Sequence, residues 1–572
     1  MRKLTDIKNW GFAFVIIILI NIISSYSHFR LDLTSEKRYS LSNTTIDMLE
    51  KLEDYVTVRV YLEGDDFPAG FVRLNGETKQ MLDEFKAYSN LIEFEFIDPL
   101  EAEDKEAKNQ LIASLAKKGL SPTSLQVKDG ESFKQQTIVP GALLNYRNNE
   151  VAVQLLKNRP GSSPESNLNS SIQELEYEFV NAIKKLQTQI KPRVAFIDGH
   201  DELDQLYVTD FSNALKESYQ VQRFNIREFA VDSITGDISI RKQQNRLNSY
   251  DAIIVAKPRG TFTGLDKFLI DQYVMQGGKI LWLLDAVDAE MDSLSATGEM
   301  LAPPMREIEL EDILFKYGAR VNNNLIKDAA SARIPVPVSF VNNQPQWELL
   351  PWLYFPVIIP NDPHPITNNL DAIKMDFVST IDTIRAPGIK KTPLLRSSPY
   401  TKVSPSPNLI RLQSALQQPN QNEFQSGRKM VALLLEGNFE SYYKNRISPA
   451  NESKEKLDFV EDGVATRMIV VSDGDIIKNA VANGKSLPLG YDRYEQRQYA
   501  NKAFLLNAID YLVEEDNMIT IRSRELKLRL LDKTKVNNNR SFWQILNTLL
   551  PIIVLLAFGA IRSYLRKKKY SR

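Results

Sequence analysis

The chain has 572 residues, too many for one hydrophobic core, so its length predicts two or three domains. Hydrophobic residues make up 43% of the sequence and charged residues 25%, which is typical of globular rather than disordered protein. The 71 Lys and Arg residues nearly balance the 72 Asp and Glu residues, which argues against a nucleic-acid-binding protein. The sequence contains no cysteine, which excludes disulfides, thiolate metal sites and cysteine nucleophiles.

The first predicted element is an apolar segment at residues 10–27. It holds about 18 mostly apolar residues without a charge, which is near the lower limit for crossing a bilayer. Arg2, Lys3 and Lys8 precede it, and no small-x-small cleavage pattern follows it. We therefore expect an uncleaved membrane anchor, and the alternative for so short a segment is a cleaved signal peptide.

Residues 31–157 are predicted to form an N-terminal α/β domain. Residues 55–62 and 91–97 are rich in β-branched and aromatic residues and predict strands, and a helical pattern follows each of them. Further short strands complete a βαβα-then-β order, which is compatible with a thioredoxin-like domain. Because the sequence lacks a redox cysteine pair, disulfide chemistry is excluded. Residues 158–166 (NRPGSSPES) have the composition of a linker.

Residues 168–531 are predicted to form a second α/β domain. Continuous apolar strands alternate with helical patterns in its first half, at residues 193–197, 252–256 and 279–284. Strands without polar alternation are typical of a parallel sheet that helices cover on both faces. The expected fold is therefore a doubly wound parallel sheet.

A stretch rich in proline, serine and asparagine interrupts this domain at about residues 331–425. Such a composition is typical of connecting segments, so we expect a loop-rich insertion with a few strands. Two apolar segments after it, residues 430–435 and 467–471, predict further strands of the sheet.

A second apolar segment lies at residues 542–561. It has about 20 uncharged residues, enough to span a bilayer, and its Pro551 is a residue that membrane helices tolerate. Six basic residues follow it, and they are Arg562, Arg566, Lys567, Lys568, Lys569 and Arg572. Since basic flanks stay in the cytoplasm, the sequence predicts a two-pass bacterial inner-membrane protein with both termini cytoplasmic and a large periplasmic region. A buried core helix is the alternative for this segment.

The sequence lacks several motifs of common enzymes. Residues 483–486 match only the end of a Walker A loop, because Asn479 stands where its first glycine is required. The three histidines lie far apart, and neither an H-E-x-x-H nor a G-x-S-x-G motif is present. We therefore expect neither enzymatic activity, nor a cofactor, nor a histidine metal site.

Acidic residues follow three of the predicted parallel strands. They are Asp198, Asp201 and Glu202 together with His200, then Asp285 and Asp288, then Asp473 and Asp475. Such sheets bind ligands at the carboxyl ends of their strands, and clustered carboxylates can hold a divalent cation. The candidate ligand pocket therefore consists of Asp198, His200, Asp201, Asp285 and Asp473. The alternative is that these are ordinary turn and helix-capping residues.

Two segments carry a resemblance to a known family. Residues 33–42 read LTSEKRYSLS directly after the first anchor, and residues 250–285 contain YDAIIVAKP and LDKFLIDQYVMQGGKILWLLD. With the C-terminal anchor, they resemble the gliding-motility-associated ABC transporter auxiliary subunit of Bacteroidetes-type bacteria, over nearly the whole chain. That family is sometimes described as a substrate-binding component.

The resemblance implies a complex with a separate membrane permease and a cytoplasmic ATPase. It also implies a fold similar to class I glutamine amidotransferases for residues 168–531. Those enzymes use a cysteine nucleophile, which this chain lacks, so the fold would be present without that chemistry.

The expected function is thus a non-catalytic periplasmic subunit of an ABC-type transporter that supports gliding motility. Its two membrane helices are expected to pack against the permease through the faces around Asn21 and Asn547. The alternative is a periplasmic ligand-binding module with a pocket at the carboxyl ends of the parallel strands. A hydrolase that uses the carboxylates is disfavoured, because the sequence offers no nucleophile–base pair.

Overall fold

The computed structural model describes most of the chain. The residues it describes are 40–64, 67–100, 105–129, 132–157, 163–188, 190–231, 238–342, 344–368, 370–449, 457–514 and 539–570. The apolar segment predicted at residues 10–27 lies outside them. The chain divides into a large unit, Met1–Asp32 with Tyr39–Glu525, and a small unit, Leu33–Arg38 with Leu526–Arg572.

The first part of the large unit is an α/β layer around a four-stranded sheet. Its elements are α1 Asn43–Glu50, β1 Val56–Val60, α2 Ala69–Tyr88, β2 Ile92–Phe96, α3 Lys105–Lys117, β3 Thr123–Asp129, β4 Ser132–Ile138, β5 Gly141–Tyr146, β6 Asn149–Gln154 and α4 Pro164–Gln187. The sheet has the order β2-β1-β5-β6, with β1 parallel to β2 and antiparallel to β5. β3 and β4 form a separate two-stranded ribbon.

Helix α4 packs against this first sheet, although the sequence assigned it to the second domain. Its apolar face, including Ile172 and Phe179, is buried with Val58 of β1 and Phe85 of α2. The buried Glu176 of α4 also accepts hydrogen bonds from the Ser42 N–H and the Thr45 hydroxyl, at 2.7 and 2.6 Å. The boundary between the two cores therefore lies after α4.

The second part of the large unit begins with strands and helices that alternate. They are β7 Arg193–Asp198, α5 Gln205–Lys216, β8 Gln220–Asn225, α6 Ile240–Leu247, β9 Ala252–Ala256, α7 Gly264–Met275, β10 Lys279–Leu283, α8 Met291–Thr297, β11 Glu299–Ala302, α9 Glu311–Tyr317, β12 Ala319–Val321 and β13 Asn324–Asp328. The strands β7, β9 and β10 and the helices α5, α7 and α9 follow the prediction closely. The other elements of this list, which are β8, α6, α8, β11, β12 and β13, were not predicted.

The remaining elements are mostly strands. They are β14 Ser331–Val341, β15 Gln344–Ile358, β16 Ile373–Lys374, β17 Ile381–Thr383, β18 Ile389–Arg396, β19 Thr401–Pro405, β20 Asn408–Arg411, β21 Met430–Glu440, β22 Asp462–Val471, β23 Val481–Ala482, β24 Lys485–Ser486, β25 Tyr491–Asp492, β26 Arg497–Gln498, α10 Asn501–Val513 and α11 Arg540–Tyr570. The chain is thus of mixed α/β class, as the sequence predicts.

A seven-stranded sheet organises this part, with the order β18-β21-β22-β10-β9-β7-β8. The five strands from β22 to β8 are parallel, whereas β21 and β18 are antiparallel to their neighbours. All five residues of β9 are buried, because helices cover both faces of the sheet. Phe211 of α5 and Phe504 of α10 lie in the core on one face, and Tyr273 of α7 lies in the core on the other.

The segment predicted to be loop-rich contains a long β-hairpin. Strands β14 and β15, of 11 and 15 residues, pair in antiparallel fashion, and Ile334, Val336 and Trp352 lie in a core of their own. The hairpin was not predicted, because both of its strands contain prolines. Proline has no backbone N–H to donate to a neighbouring strand and is typical of loops and sheet edges. The insertion is therefore richer in strands than expected.

Helix α11 belongs to the small unit. Its stretch Arg540–Lys568 contains an 18-residue segment with a mean hydropathy of 2.1. It is the one helix in the described part of the chain that is long and apolar enough to cross a membrane. Pro551 lies inside it without ending it. The prediction of a helix over residues 542–561 is confirmed.

Candidate functional site

Two of the predicted site residues lie together at the carboxyl edge of the large sheet. Asp285 follows β10 and Asp473 follows β22, and these two strands are paired and parallel. Asp475 joins them, and oxygen atoms of the three carboxylates all lie within 4.8 Å of one another. Parallel pairing therefore brings together side chains that are nearly 190 residues apart in the sequence.

Backbone amides orient this group of carboxylates. The fully buried Asp473 accepts hydrogen bonds from the N–H groups of Asp376 and Asp475, both at 2.8 Å. Asp285 accepts a hydrogen bond from the Gly474 N–H at 2.6 Å. A Cβ atom at position 474 would lie 2.6 Å from Cγ of Lys257, so this close approach requires glycine.

Lys257 is the internal counter-ion of the group. It follows β9 with a φ of 55°, its side chain is 2% exposed, and its Nζ lies 2.5 Å from Asp475 and 3.4 Å from both Asp285 and Glu290. Burial lowers the pKa of Lys257, but these three carboxylates outweigh burial, so its pKa is raised and the ammonium is charged. Lys257 could not be singled out from the sequence, because a single lysine after a strand is ordinary.

The cations near these carboxylates, which are Lys257, Arg259 beside Glu290 and Lys478 beside Asp475, are outnumbered by them. Burial raises the pKa of Asp285 to about 6, against the opposing effect of Lys257. Burial also raises the pKa of Asp473 well above its ordinary value, and the neighbouring carboxylates of Asp475, Asp285 and Asp376 raise it further. A positively charged occupant would oppose these shifts, because a nearby positive charge stabilises the ionised form of a carboxylate.

A cavity of about 220 Å³ opens beside these carboxylates, and we call it the acidic cavity. Asp473 and Asp475 line it on one side, and Lys374, Asp376 and Phe377 from the insertion line it on the other. Lys374 is tied to the wall, because its Nζ lies 3.1 Å from Asp492 and 3.7 Å from Asp376. Carboxylate oxygens in this arrangement can hold a hard divalent cation or an ammonium group. The side of the cavity that the insertion forms was not predicted, because the sequence did not allow individual strands to be assigned in that segment.

Asp198 and Asp201 lie apart from the acidic cavity. Asp198 ends β7 and pairs with Arg223 of the neighbouring strand β8, whose Nε lies 2.8 Å from its Oδ2. Asp201 is exposed and has a φ of 53°, which is a turn conformation. β7 is separated from β10 by β9, so two strand spacings, about 10 Å, lie between the ends of the strands.

His200 is buried in a separate group that we call the His200 cluster: His200, Glu202, Arg227, Phe262 and Asp266. The imidazole stacks on Phe262 with 3.5 Å between ring centres, and its Nδ1 and Nε2 lie 3.2 and 3.1 Å from Glu202 and Asp266. Burial lowers the pKa of His200, but hydrogen bonds to the two carboxylates outweigh it and raise the pKa overall. Arg227 also donates to Asp266, at 2.9 Å.

The His200 cluster fills the position where open α/β sheets commonly bind ligands. β7 has β8 on one side and β9 on the other, so the direction of winding reverses between β7 and β9. There the carbonyl of His200 accepts hydrogen bonds from the Arg259 and Gly260 N–H groups, at 2.8 and 2.7 Å. Protein groups thus occupy the crevice, and the cavity lies two strands away, beside β22.

Comparison with known proteins gives few close matches. An uncharacterized protein of Borreliella burgdorferi (strain ATCC 35210 / DSM 4680 / CIP 102532 / B31) is 22% identical over 587 residues, which cover 99% of each chain. A solved structure, the mmIFT52 N-terminal domain, is 13% identical and covers 56% of this chain and 98% of its own, with a TM-score of 0.30. That similarity is too low to support an argument about fold or function.

Two family models match the chain itself. Residues 35–145 match a domain of unknown function. Residues 191–508, which include the large sheet and the acidic cavity, match an auxiliary family described as an ABC-type uncharacterized transport system. Because these residues make up more than half of the chain, the protein belongs to this auxiliary family of an ABC-type transport system.

Proposed function

We propose that this protein is a non-catalytic accessory subunit of an ABC-type transporter, held at the bacterial inner membrane. The family match over residues 191–508 is the observation that carries the proposal. Helix α11 supports it, because its length and hydropathy fit a membrane-associated protein. The expected partners are a multi-span permease and a cytoplasmic ATPase, since the sequence contains no complete Walker A motif of its own.

The charges around α11 support a topology with the C-terminus in the cytoplasm. The six basic residues that follow the apolar segment outnumber the three on its other flank, which are Lys533, Lys535 and Arg540. With a second span at residues 10–27, both termini are cytoplasmic and the large unit is periplasmic. Alkaline phosphatase fused after residue 157 should be active and a fusion after residue 572 inactive; the reverse pattern would contradict this topology.

Three finer assignments rest on the sequence alone. A role in gliding motility follows from residues 33–42 and 250–285, whereas the family description names transport only. The thioredoxin-like assignment of residues 31–157 and the amidotransferase-like assignment of residues 168–531 likewise stay predictions. Deletion of the gene in a gliding host, followed by a measurement of cell speed, tests the role in motility.

Co-purification tests the main proposal. The full chain, tagged and expressed at its native level, should retain a permease and an ATPase after mild detergent extraction. Recovery of the chain alone would contradict the proposal. In a second variant, an unrelated spanning helix with the same flanking charges replaces residues 540–570. We expect this variant to lose the permease, since we propose that the face around Asn547 packs against it; full retention would make α11 an anchor only.

We propose ligand binding at the acidic cavity as a second function. The excess of carboxylates over lysines beside a cavity of about 220 Å³ favours it, and a small cationic ligand is the expected class. Calorimetry with CaCl₂, MgCl₂, MnCl₂ and arginine should detect saturable binding that the D473N/D475N variant loses. D201N is the matched control, because Asp201 is acidic and exposed, and asparagine tolerates its positive φ. If none of the four probes gives a measurable heat of binding, the proposed ligand binding at the acidic cavity is wrong.

A further inference from the structure

A second, larger cavity lies elsewhere in the large unit. It is open, has a volume of about 860 Å³ and shares no lining residue with the acidic cavity. Two ribbons, β12–β17 and β13–β19, and the edge strand β18 of the large sheet contribute its walls. We call it the basic cavity.

Positive charge dominates the lining of the basic cavity. Its basic residues are Arg320, Arg396, Arg428 and Lys429, against the single carboxylate of Asp382. Arg396 lies 3.3 Å from Asp362, and Asp382 accepts a hydrogen bond from Asn322 at 2.8 Å. The other three cations form no ion pair with any residue in the part of the chain that the structure describes. Three cationic groups therefore remain available at one concave surface.

Neutral polar groups form the rest of the wall. The side-chain amides of Asn322 and Asn324 both donate to the hydroxyl of Thr380 at 2.9 Å, and the Thr380 N–H donates to Asn324 at 3.0 Å. These bonds fix the wall in place. Between the two, Asn323 has a buried Oδ1 with no hydrogen-bond donor among the described residues. A buried acceptor without a donor is costly, so this atom favours a ligand that brings a donor.

We propose that the basic cavity binds an acidic carbohydrate, meaning a sugar that bears a phosphate or a carboxylate. The unpaired Arg320, Arg428 and Lys429 receive the anionic group, for which the planar guanidinium offers paired donors. A sugar hydroxyl donates to Oδ1 of Asn323. An anion without a hydroxyl group would pair with the three cations but would leave Oδ1 of Asn323 without a donor. An acyl chain would neither pair with the cations nor donate to Oδ1. The volume suits a sugar or a short segment of an anionic polysaccharide.

Calorimetry on the full chain in detergent, at low ionic strength, tests this inference. The probes are glucose 6-phosphate and glucuronic acid, with glucose and sulfate as controls and oligogalacturonate as the polymer. We expect saturable binding of the acidic sugars and none of glucose. If oligogalacturonate binds more tightly than glucuronic acid, the ligand of the basic cavity is a polysaccharide. If glucuronic acid binds more tightly, the ligand is a free sugar.

Charge-neutralising variants test the residues. R320Q/R428Q/K429Q should weaken binding of glucose 6-phosphate at least about tenfold, because charge-assisted hydrogen bonds are lost. R306Q/K242Q/K485Q removes three exposed cations elsewhere and should bind as the unmodified chain does. N323L should weaken binding of glucose 6-phosphate but leave binding of sulfate, which has no hydrogen-bond donor, unchanged. Thermal unfolding of each variant shows that it is folded.

Several results would overturn the inference. It fails if neither acidic sugar binds, or if the two triple variants bind equally well. The carbohydrate assignment fails if sulfate binds as tightly as glucose 6-phosphate, because a hydroxyl contact would then add nothing to binding. It also fails if phosphatidylglycerol vesicles alone are bound. None of these results depends on the transporter assignment.

Discussion

The acidic cavity and the His200 cluster lie at the same edge of the same sheet, but their charges are balanced differently. In the His200 cluster, one imidazole and one guanidinium face two carboxylates, and hydrogen bonds join these groups to one another. In the acidic cavity, Lys257 faces Asp285, Asp475 and Glu290, and open space lies beside them. Acidic residues after parallel strands therefore produce a candidate site only where the surrounding chain leaves their charge uncompensated.

The largest effect in this comparison is expected for removal of Lys257. K257M leaves the largely buried Asp285 without its cation. Glu290 keeps Arg259 as a partner, and Asp475 keeps Lys478 at 3.8 Å. Loss of one partner of a buried ion pair costs about 3–5 kcal/mol, so the free energy of unfolding should fall by that amount. Urea unfolding of the full chain in detergent measures it, with K485M at an exposed site as the control. A loss below about 1 kcal/mol would show that solvent or another cation screens the carboxylates.

Removal of His200 should have the next largest effect. H200A removes the ring that stacks on Phe262 and its two bonds to Glu202 and Asp266, at an expected cost of about 3 kcal/mol. Because the folded protein raises the pKa of His200 above 6.5, this stabilisation is fully present below pH 6.5 and is lost as pH rises through the raised value. Unfolding of both proteins across this range measures it. An equal difference at all pH values would mean that His200 contributes by packing alone.

The acidic cavity should produce a different pH dependence. The folded protein raises the pKa of Asp285 from 3.8 to about 6, so ionisation of this group opposes folding. The free energy of unfolding should then fall, by up to about 3 kcal/mol, as pH rises from about 4 to about 6. D285N should remove this fall in the free energy of unfolding between about pH 4 and about pH 6. It should leave the pH dependence that His200 causes above pH 6.5 unchanged. If the free energy of unfolding of D285N depends on pH as that of the unmodified chain does, the pKa of Asp285 is not raised.

The smallest effect is expected for Asp198, which lies apart from both groups. Asp198 and Arg223 are each 27% exposed in their side chains, and such partly solvated pairs contribute little. D198N should therefore lower the free energy of unfolding by less than about 1 kcal/mol. It should also leave cation binding at the acidic cavity unchanged. Loss of that binding in D198N would mean that the cavity extends further along the edge of the sheet than its lining indicates.

The sequence predicted the parts of this fold that carry a simple pattern. The central strands β7, β9 and β10 are continuous apolar runs, because both of their faces are covered. β8 was missed because it is an edge strand with alternating exposure, and α6 because its sequence, IRKQQNRL, is almost entirely polar. The hairpin of β14 and β15 was missed because of its prolines.

The site was predictable in part for the same reason. Asp285 and Asp473 follow apolar strands, and the rule that parallel strands end at one edge placed both correctly at that edge. The rule does not give strand order, so it grouped Asp198 and His200 with them, although β9 lies between β7 and β10. Lys257 and the wall of Lys374 and Asp376 depend on tertiary packing, for which a single sequence carries no local signal.

The continuous length of α11 has a mechanical consequence. Its 31 residues extend about 46 Å, whereas the hydrocarbon core of a bilayer is about 30 Å thick. When the apolar part spans the bilayer, about ten residues continue as a rigid rod beyond it, and most of the basic side chains lie on that rod. If the membrane-spanning part of α11 tilts, the basic end of the helix outside the bilayer moves sideways along the membrane surface. The helix can thus report or drive movement at the membrane surface as well as act as an anchor.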